Sequence, residues 1–151
     1  MIYLDANVFI YSSLNRKALG DKSRSIIKDI QNGKMLAATS ALSFDELVWA
    51  VKKHRSDPEG VIAGEVFLNI PGLTILDVKQ DMLNFALKLI KKYHINPRDS
   101  IHAASALDAK AEYIVSEDRD FDLLTEIKRK PILQVLTSSS DGSESLPSRK
   151  G

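Results

Sequence analysis

Four carboxylates stand where this chain passes between apolar and helical stretches: Asp5, Glu46, Asp99 and Asp118. Asp5 closes the apolar run Met1-Ile2-Tyr3-Leu4, and Asp118 comes shortly after Tyr113-Ile114-Val115. Asp99 sits at a helix start behind Asn96-Pro97-Arg98, and Glu46 lies inside an earlier helical stretch. Acids at such positions can meet in one crevice of an α/β sheet. There they repel one another unless a cation holds them, and an all-oxygen donor set selects a hard divalent ion. The chemistry this offers is metal-assisted attack on a phosphate ester.

Each acid also has a plain structural role to set against that one. Asp5 can cap the helix that starts near Ala6, while Asn7 can bond to Asp5 or to a metal-bound water. Glu46 lies roughly 150° from the centre of the Phe44/Leu47/Val48/Val51 stripe, which by periodicity makes it a surface residue. It shares its side with Leu42, Trp49, Ala50 and Lys53. Asp99 is the third residue of its helix, where free N–H groups and the helix dipole favour a carboxylate. The small residues of Ile101-His102-Ala103-Ala104-Ser105-Ala106 let that helix pack closely. In Ser116-Glu117-Asp118-Arg119-Asp120-Phe121-Asp122, Asp118 is the site acid and Asp120 a second candidate or cap, whereas Glu117 and Asp122 read as solvated. Arg98 and Arg119 flank two acids and either grip phosphate or neutralise their neighbours. His102 shares a helix side with Asp99; it can support the acids from behind, but the favoured reading is a packed, non-catalytic histidine. The three histidines form no His-x-x-x-His pair, which argues against a histidine zinc site.

The elements that must position these groups alternate in type. Strand-like runs occur at 2–4, 35–38, 73–76, 113–115 and 132–136, and helical periodicity fills the intervals. Asn32-Gly33 and Pro71-Gly72 supply stops, and Asn96-Pro97 supplies a start. Without hairpin signals between strands, the pattern predicts a parallel sheet covered on both faces, with its ligand crevice beyond the carboxyl ends of the strands. Asp5 and Asp118 then lie on that rim. From Thr137 to Gly151 apolar periodicity stops, and the expectation is one domain over 1–136 followed by a tail without fixed structure.

With 151 residues the chain is sized for one domain, and the absence of cysteine rules out disulfides, thiolate metal sites and thiol nucleophiles. The start is not that of a signal peptide, and no apolar run spans a bilayer; a cytoplasmic protein without a membrane partner is expected. Net charge is +1, yet Lys and Arg cluster at Arg16-Lys17, Lys22 to Arg24, Lys52 to Arg55 and Lys128 to Lys130.

Four segments, in this order, resemble the PIN-domain nucleases, and among them VapC-type toxins of toxin–antitoxin pairs. They are Ile2-Tyr3-Leu4-Asp5-Ala6-Asn7, Ser40-Ala41-Leu42-Ser43-Phe44-Asp45-Glu46-Leu47, Arg98-Asp99-Ser100-Ile101-His102-Ala103-Ala104-Ser105-Ala106 and Ile114-Val115-Ser116-Glu117-Asp118-Arg119-Asp120-Phe121. The resemblance implies an α/β/α sandwich around a five-stranded parallel sheet of order 3-2-1-4-5. It implies Asp5, Glu46, Asp99 and Asp118 as catalytic acids holding Mg²⁺ or Mn²⁺, with Asn7, Ser116 and Asp120 around them. That restores Glu46, which periodicity discards. Ser116 stands where the family often has threonine. The implied activity is RNA phosphodiester hydrolysis, and the implied partners are an antitoxin and a second copy of the chain, with Trp49 a candidate for the dimer contact or the core.

Three rival readings remain. One is a PIN nuclease of RNA processing without a toxin role, and another is a non-catalytic RNA-binding scaffold on the same fold. The third, a haloacid dehalogenase-type phosphatase, wants a second aspartate where Asn7 stands.

Overall fold

The structure, a computed structural model, describes residues 1–139. Five strands form one parallel sheet: β1 (Ile2–Leu4), β2 (Ala37–Ser40), β3 (Leu73–Leu76), β4 (Tyr113–Val115) and β5 (Lys128–Lys130). Their order is β3-β2-β1-β4-β5, as the family resemblance implies. Six α-helices connect them: α1 (Ala6–Leu14), α2 (Ala18–Gln31), α3 (Leu42–His54), α4 (Asp57–Leu68), α5 (Gln80–Tyr93) and α6 (Pro97–Asp108).

Strand alternation divides the core between two faces. Ile2, Leu4 and Val115 point toward Val8, Phe9, Ile26, Ile30, Leu47, Val51 and Phe67, so α1 to α4 cover one side. Tyr3 and Ile114 point the other way, toward Ala86, Leu89, Ala103, Ala104 and Ala106 of α5 and α6. On α6 Ala103, Ala104 and Ala106 are fully buried, and their small size brings the helix down onto the sheet at β2 and β4. Helix starts use local chemistry: Asp5 accepts from the N–H of Ala6, and Ser56 accepts from that of Glu59. Gly72 turns with φ 79°, and a Cβ there would stand 2.7 Å from the carbonyl oxygen of Ile30, so only glycine fits.

The last strand departs from expectation. The apolar run at 132–136 is not β5; the strand is Lys128–Lys130, and Ile132–Gln134 forms a 3-10 turn behind Pro131. Ile132 and Val135 instead plug the core, 0% and 1% exposed. Proline cannot donate to a strand ladder, which ends the pairing there. Glu117, expected in solvent, is half-buried and accepts the N–H of Ile132 at 2.7 Å. Trp49 is 59% exposed, which removes its core reading.

Packing also passes the expected domain end at 136. Thr137 is buried, and Ser138 donates its backbone N–H to Asp29 Oδ2 at 2.8 Å. Asp29 is itself buried and takes up these donors, which anchors the chain to 139. The remainder of the expected tail, residues 140–151, lies outside the described residues.

Candidate active site

The rim at the carboxyl ends of β1 and β4 brings the sequence-predicted acids together. Asp5 leaves β1 two residues beyond Tyr3 and so faces α6. Its Oδ1 accepts from the Ala6 N–H at 2.8 Å, and its Oδ2 accepts from the Ser116 hydroxyl at 2.7 Å. The cap and the cluster role thus coexist in one side chain. Ser116, the first residue after β4, is a hub. Its single hydrogen goes to Asp5, and its lone pairs accept from Asn7 Nδ2 at 3.0 Å and from the Asp118 N–H at 2.9 Å. Asp118 in turn caps the 3-10 turn Arg119–Leu123, accepting the Asp120 N–H at 2.9 Å.

Two sets of ligand-capable atoms result, each within 4.8 Å of one another: Asp5, Glu46 and His102, then Asp99, Asp118 and Asp120. The acid that periodicity discards, Glu46, is held by His102 Nε2 at 2.7 Å. The same nitrogen lies 3.4 Å from Asp5 Oδ1, and Nδ1 lies 2.8 Å from the Tyr3 hydroxyl.

The electrostatics are those of crowded negative charge. Burial, and then the charges of Asp118, Asp5 and Asp120, push Asp99 from 3.8 up to about 7. The helix dipole that favours an ionised acid at this position is outweighed. Burial raises Asp5 as well, against the pull of His102 and Ser116. Burial acts to lower His102, but the Glu46 hydrogen bond and the charges of Asp5 and Glu46 outweigh it and the net direction is up. Tyr3, raised chiefly by burial, keeps its phenolic hydrogen.

These residues fit a hard divalent cation. Ser116 has committed its hydrogen, so the Asn7 amide must donate to it, and Asn7 Oδ1 is left buried with no hydrogen-bond partner. An orphaned oxygen beside a carboxylate cluster matches the donors such an ion takes. Asp5, Glu46, Asp99 and Asp118, with Asp120 and Asn7, would supply the oxygens.

The two arginines expected beside the acids, Arg98 and Arg119, are both exposed. A third, Arg129 on β5, was not legible in the sequence. It bonds both oxygens of Asp122 at 2.9 Å, and its Nη1 donates to the Ser116 carbonyl at 3.0 Å. Asp122 is held below its ordinary range first by Arg129, with Arg119 assisting. Tyr3 has no sequence signal as a site residue; His102, three residues after Asp99, carries the signal for a supporting role, although the sequence favours a packed histidine.

A family model described as PIN domain matches residues 2–127. The chain belongs to the PIN domain family. No curated protein matches the sequence. Among solved structures, this PIN domain is similar to the VapBC2 complex of Rickettsia felis bound to a fragment of promoter DNA, with TM-score 0.69 and 19% identity over 87% of this chain and 98% of that one. It is similar to VapC20 of Mycobacterium tuberculosis, a sarcin-ricin loop cleaving toxin, with TM-score 0.66 and 14% identity over 81% and 93%. A third neighbour is FitAcB of Neisseria gonorrhoeae, with TM-score 0.66 and 18% identity over 89% and 100%. At these identities the likeness establishes the fold.

Proposed function

We propose that this PIN domain is a metal-dependent endoribonuclease, and that it is the toxin of a toxin–antitoxin pair. The observation that carries the first part is the convergence of Asp99, Asp118 and Asp120, whose ligand-capable atoms lie within 4.8 Å of one another; burial, and then the neighbouring carboxylates, push Asp99 up to about 7, a cost that a bound cation removes. A divalent ion bound there would supply positive charge against a phosphodiester and would lower the pKa of a water so that it could attack phosphorus as hydroxide. The chain's own residues then have distinct tasks. Asp5, Glu46, Asp99 and Asp118 hold the ion, with Asp120 as a further donor. Ser116 and Asn7 fix the Asp5 and Asp118 oxygens. Arg98 and Arg119, exposed on the rim, orient the phosphate. Lys52, Lys53 and Arg55, exposed at the end of α3, track the RNA backbone through salt-sensitive contacts.

The toxin reading draws on the neighbours, several of which are toxin–antitoxin complexes. It also draws on an apolar groove of about 570 Å³ lined by Phe9, Leu14, Ile27 and Val66, with Arg16 and Arg55 beside them. That groove offers an antitoxin segment a seat. Exposed Trp49 offers a contact for a homodimer.

The test is incubation of purified protein with cellular RNA in Mg²⁺ or Mn²⁺, with product ends mapped and an EDTA control. Internal cleavage that EDTA abolishes is expected. Intact RNA together with no calorimetric metal binding would leave the scaffold reading standing. A small DNA-binding protein encoded by the adjacent reading frame, able to silence cleavage, separates a toxin from a processing nuclease.

A further inference from the structure

Resting on the ribonuclease reading above, we propose that His102 is a positioning residue that fixes Glu46 in the acid cluster and is not itself a metal ligand. Glu46 reaches the rim from the margin of the buried face of α3, which carries Ser43, Leu47, Ala50 and Val51. Its carboxylate sits at the end of three rotatable bonds, and a free glutamate loses appreciable entropy when held in one rotamer. The hold comes from across the sheet. His102, on α6, is 0% exposed, and its Nε2 stands 2.7 Å from Glu46 Oε1.

The ring has no lone pair to spare. Nε2 faces a carboxylate, so it carries the hydrogen. Nδ1 faces the Tyr3 hydroxyl at 2.8 Å, deep in the core beside a side chain that is itself 0% exposed. Tyr3 also fixes the ring plane edge-on, with centroids 5.9 Å apart at 66°. A histidine that ligates a metal must offer one bare nitrogen, and its other nitrogen is then oriented by a carboxylate or carbonyl. Here both nitrogens are taken by protein atoms. The chain Tyr3–His102–Glu46 therefore runs the other way: core tyrosine orients imidazole, imidazole orients glutamate, and Glu46 Oε2 is left for the ion.

The same N–H lies between two acids, since Asp5 Oδ1 is 3.4 Å away. One donor placed between two carboxylates offsets part of their repulsion and sets their separation before any ion arrives. The path is continuous because Asp5 follows Tyr3 by two residues at the end of β1, and because the alanines of α6 pack that helix closely on the sheet around Tyr3.

The test uses the full chain and four variants: His102→Ala, His102→Gln, whose amide nitrogen can reach the Nε2 position, Tyr3→Phe and Glu46→Ala. Mn²⁺ affinity is read by calorimetry, RNA cleavage by steady-state kinetics, and Mn²⁺ ligation by pulsed EPR. His102→Ala is expected to weaken Mn²⁺ binding about tenfold to a hundredfold and to lower kcat with KM for RNA unchanged. His102→Gln is expected to recover most of both. Wild-type EPR is expected to show no directly bound nitrogen. A nitrogen coupling in the wild type that vanishes in His102→Gln would make the histidine a ligand and overturn the proposal. So would a lowered melting temperature in His102→Ala with metal affinity and kcat intact, the mark of a merely structural residue. If His102→Ala does not fold, Tyr3→Phe decides, because it keeps the ring packing and removes only the hydroxyl; unchanged Mn²⁺ affinity there overturns the proposal. A wild type inert toward both Mn²⁺ and RNA defeats the ribonuclease reading instead. The His102–Glu46 link is then judged in metal-free protein, where the NMR signal of the imidazole Nε2–H is expected to be protected from exchange and to be lost in Glu46→Ala. Its absence in the wild type overturns the link itself.

Discussion

Ser116 donates its hydroxyl hydrogen to Asp5 Oδ2 across 2.7 Å, joining residues separated by 111 positions. The same oxygen receives Asn7 and the backbone of Asp118. Ser116→Ala strips one partner from each of three groups, and a buried polar group left unmet costs about 1–3 kcal/mol. A lower melting temperature is expected, with RNA cleavage reduced about tenfold to a hundredfold. Ser116→Thr keeps the hydroxyl and is expected to hold most of the activity. Thermal melts and kcat on the two variants check this.

Asp5→Asn keeps an oxygen for the Ala6 N–H and removes a negative charge from the crowd. Metal-dependent cleavage is expected to vanish while circular dichroism matches the wild type. Full activity in a clean preparation would refute the role given to Asp5.

The pH dependence follows from Asp99. Its folded value is about 7 against an ordinary 3.8, so the folded state favours the protonated acid. The sign is fixed by linkage: Asp99 penalises folding least below about pH 4, and the penalty grows as pH rises through about 7. In EDTA, the melting temperature of wild type relative to Asp99→Asn is expected to fall between pH 5 and pH 8. A divalent ion should reverse this, by about 2.7 kcal/mol at a hundredfold excess over its Kd. Below pH 7 the ion must displace a proton, so its apparent affinity is expected to drop by up to about tenfold per pH unit. Calorimetric titrations at pH 5.5, 6.5 and 7.5, chosen to bracket about pH 7, measure it.

The sequence made the rim acids Asp5 and Asp118 legible, because an apolar run ends just before Asp5 and three residues before Asp118, and a parallel sheet sends such positions to one edge. Glu46 was legible only by resemblance. Helical periodicity reports which side of α3 faces the core beneath it, and the partner of Glu46 is an imidazole arriving from α6, a contact no local pattern encodes. The same gap hid His102, whose two partners are 99 and 56 positions away. β5 was misplaced because apolarity is the signal for a buried strand, whereas Lys128–Lys130 lies at the sheet margin with charged side chains that solvent and Asp122 satisfy. The run at 132–136 carries the apolarity of a strand but uses it to close the core.

Helix α4 rests against α3 through small residues. A Cβ on Gly64 would stand 2.9 Å from Phe44 Cε2 and 2.9 Å from Val48 Cγ2. Gly64→Leu is expected to destabilise the fold by about 1–3 kcal/mol through overpacking, read as a lower urea midpoint. Cleavage per folded molecule should change less, since Gly64 meets Phe44 and Val48 and none of the rim acids.

The sheet ends on a lysine, an arginine and a lysine, with proline next in line. Such a margin repels any foreign strand that tries to add itself, because pairing would stack cation against cation and find no N–H at the proline. The edge that carries Arg129 beneath Ser116 thereby also guards the molecule against aggregation through its own backbone.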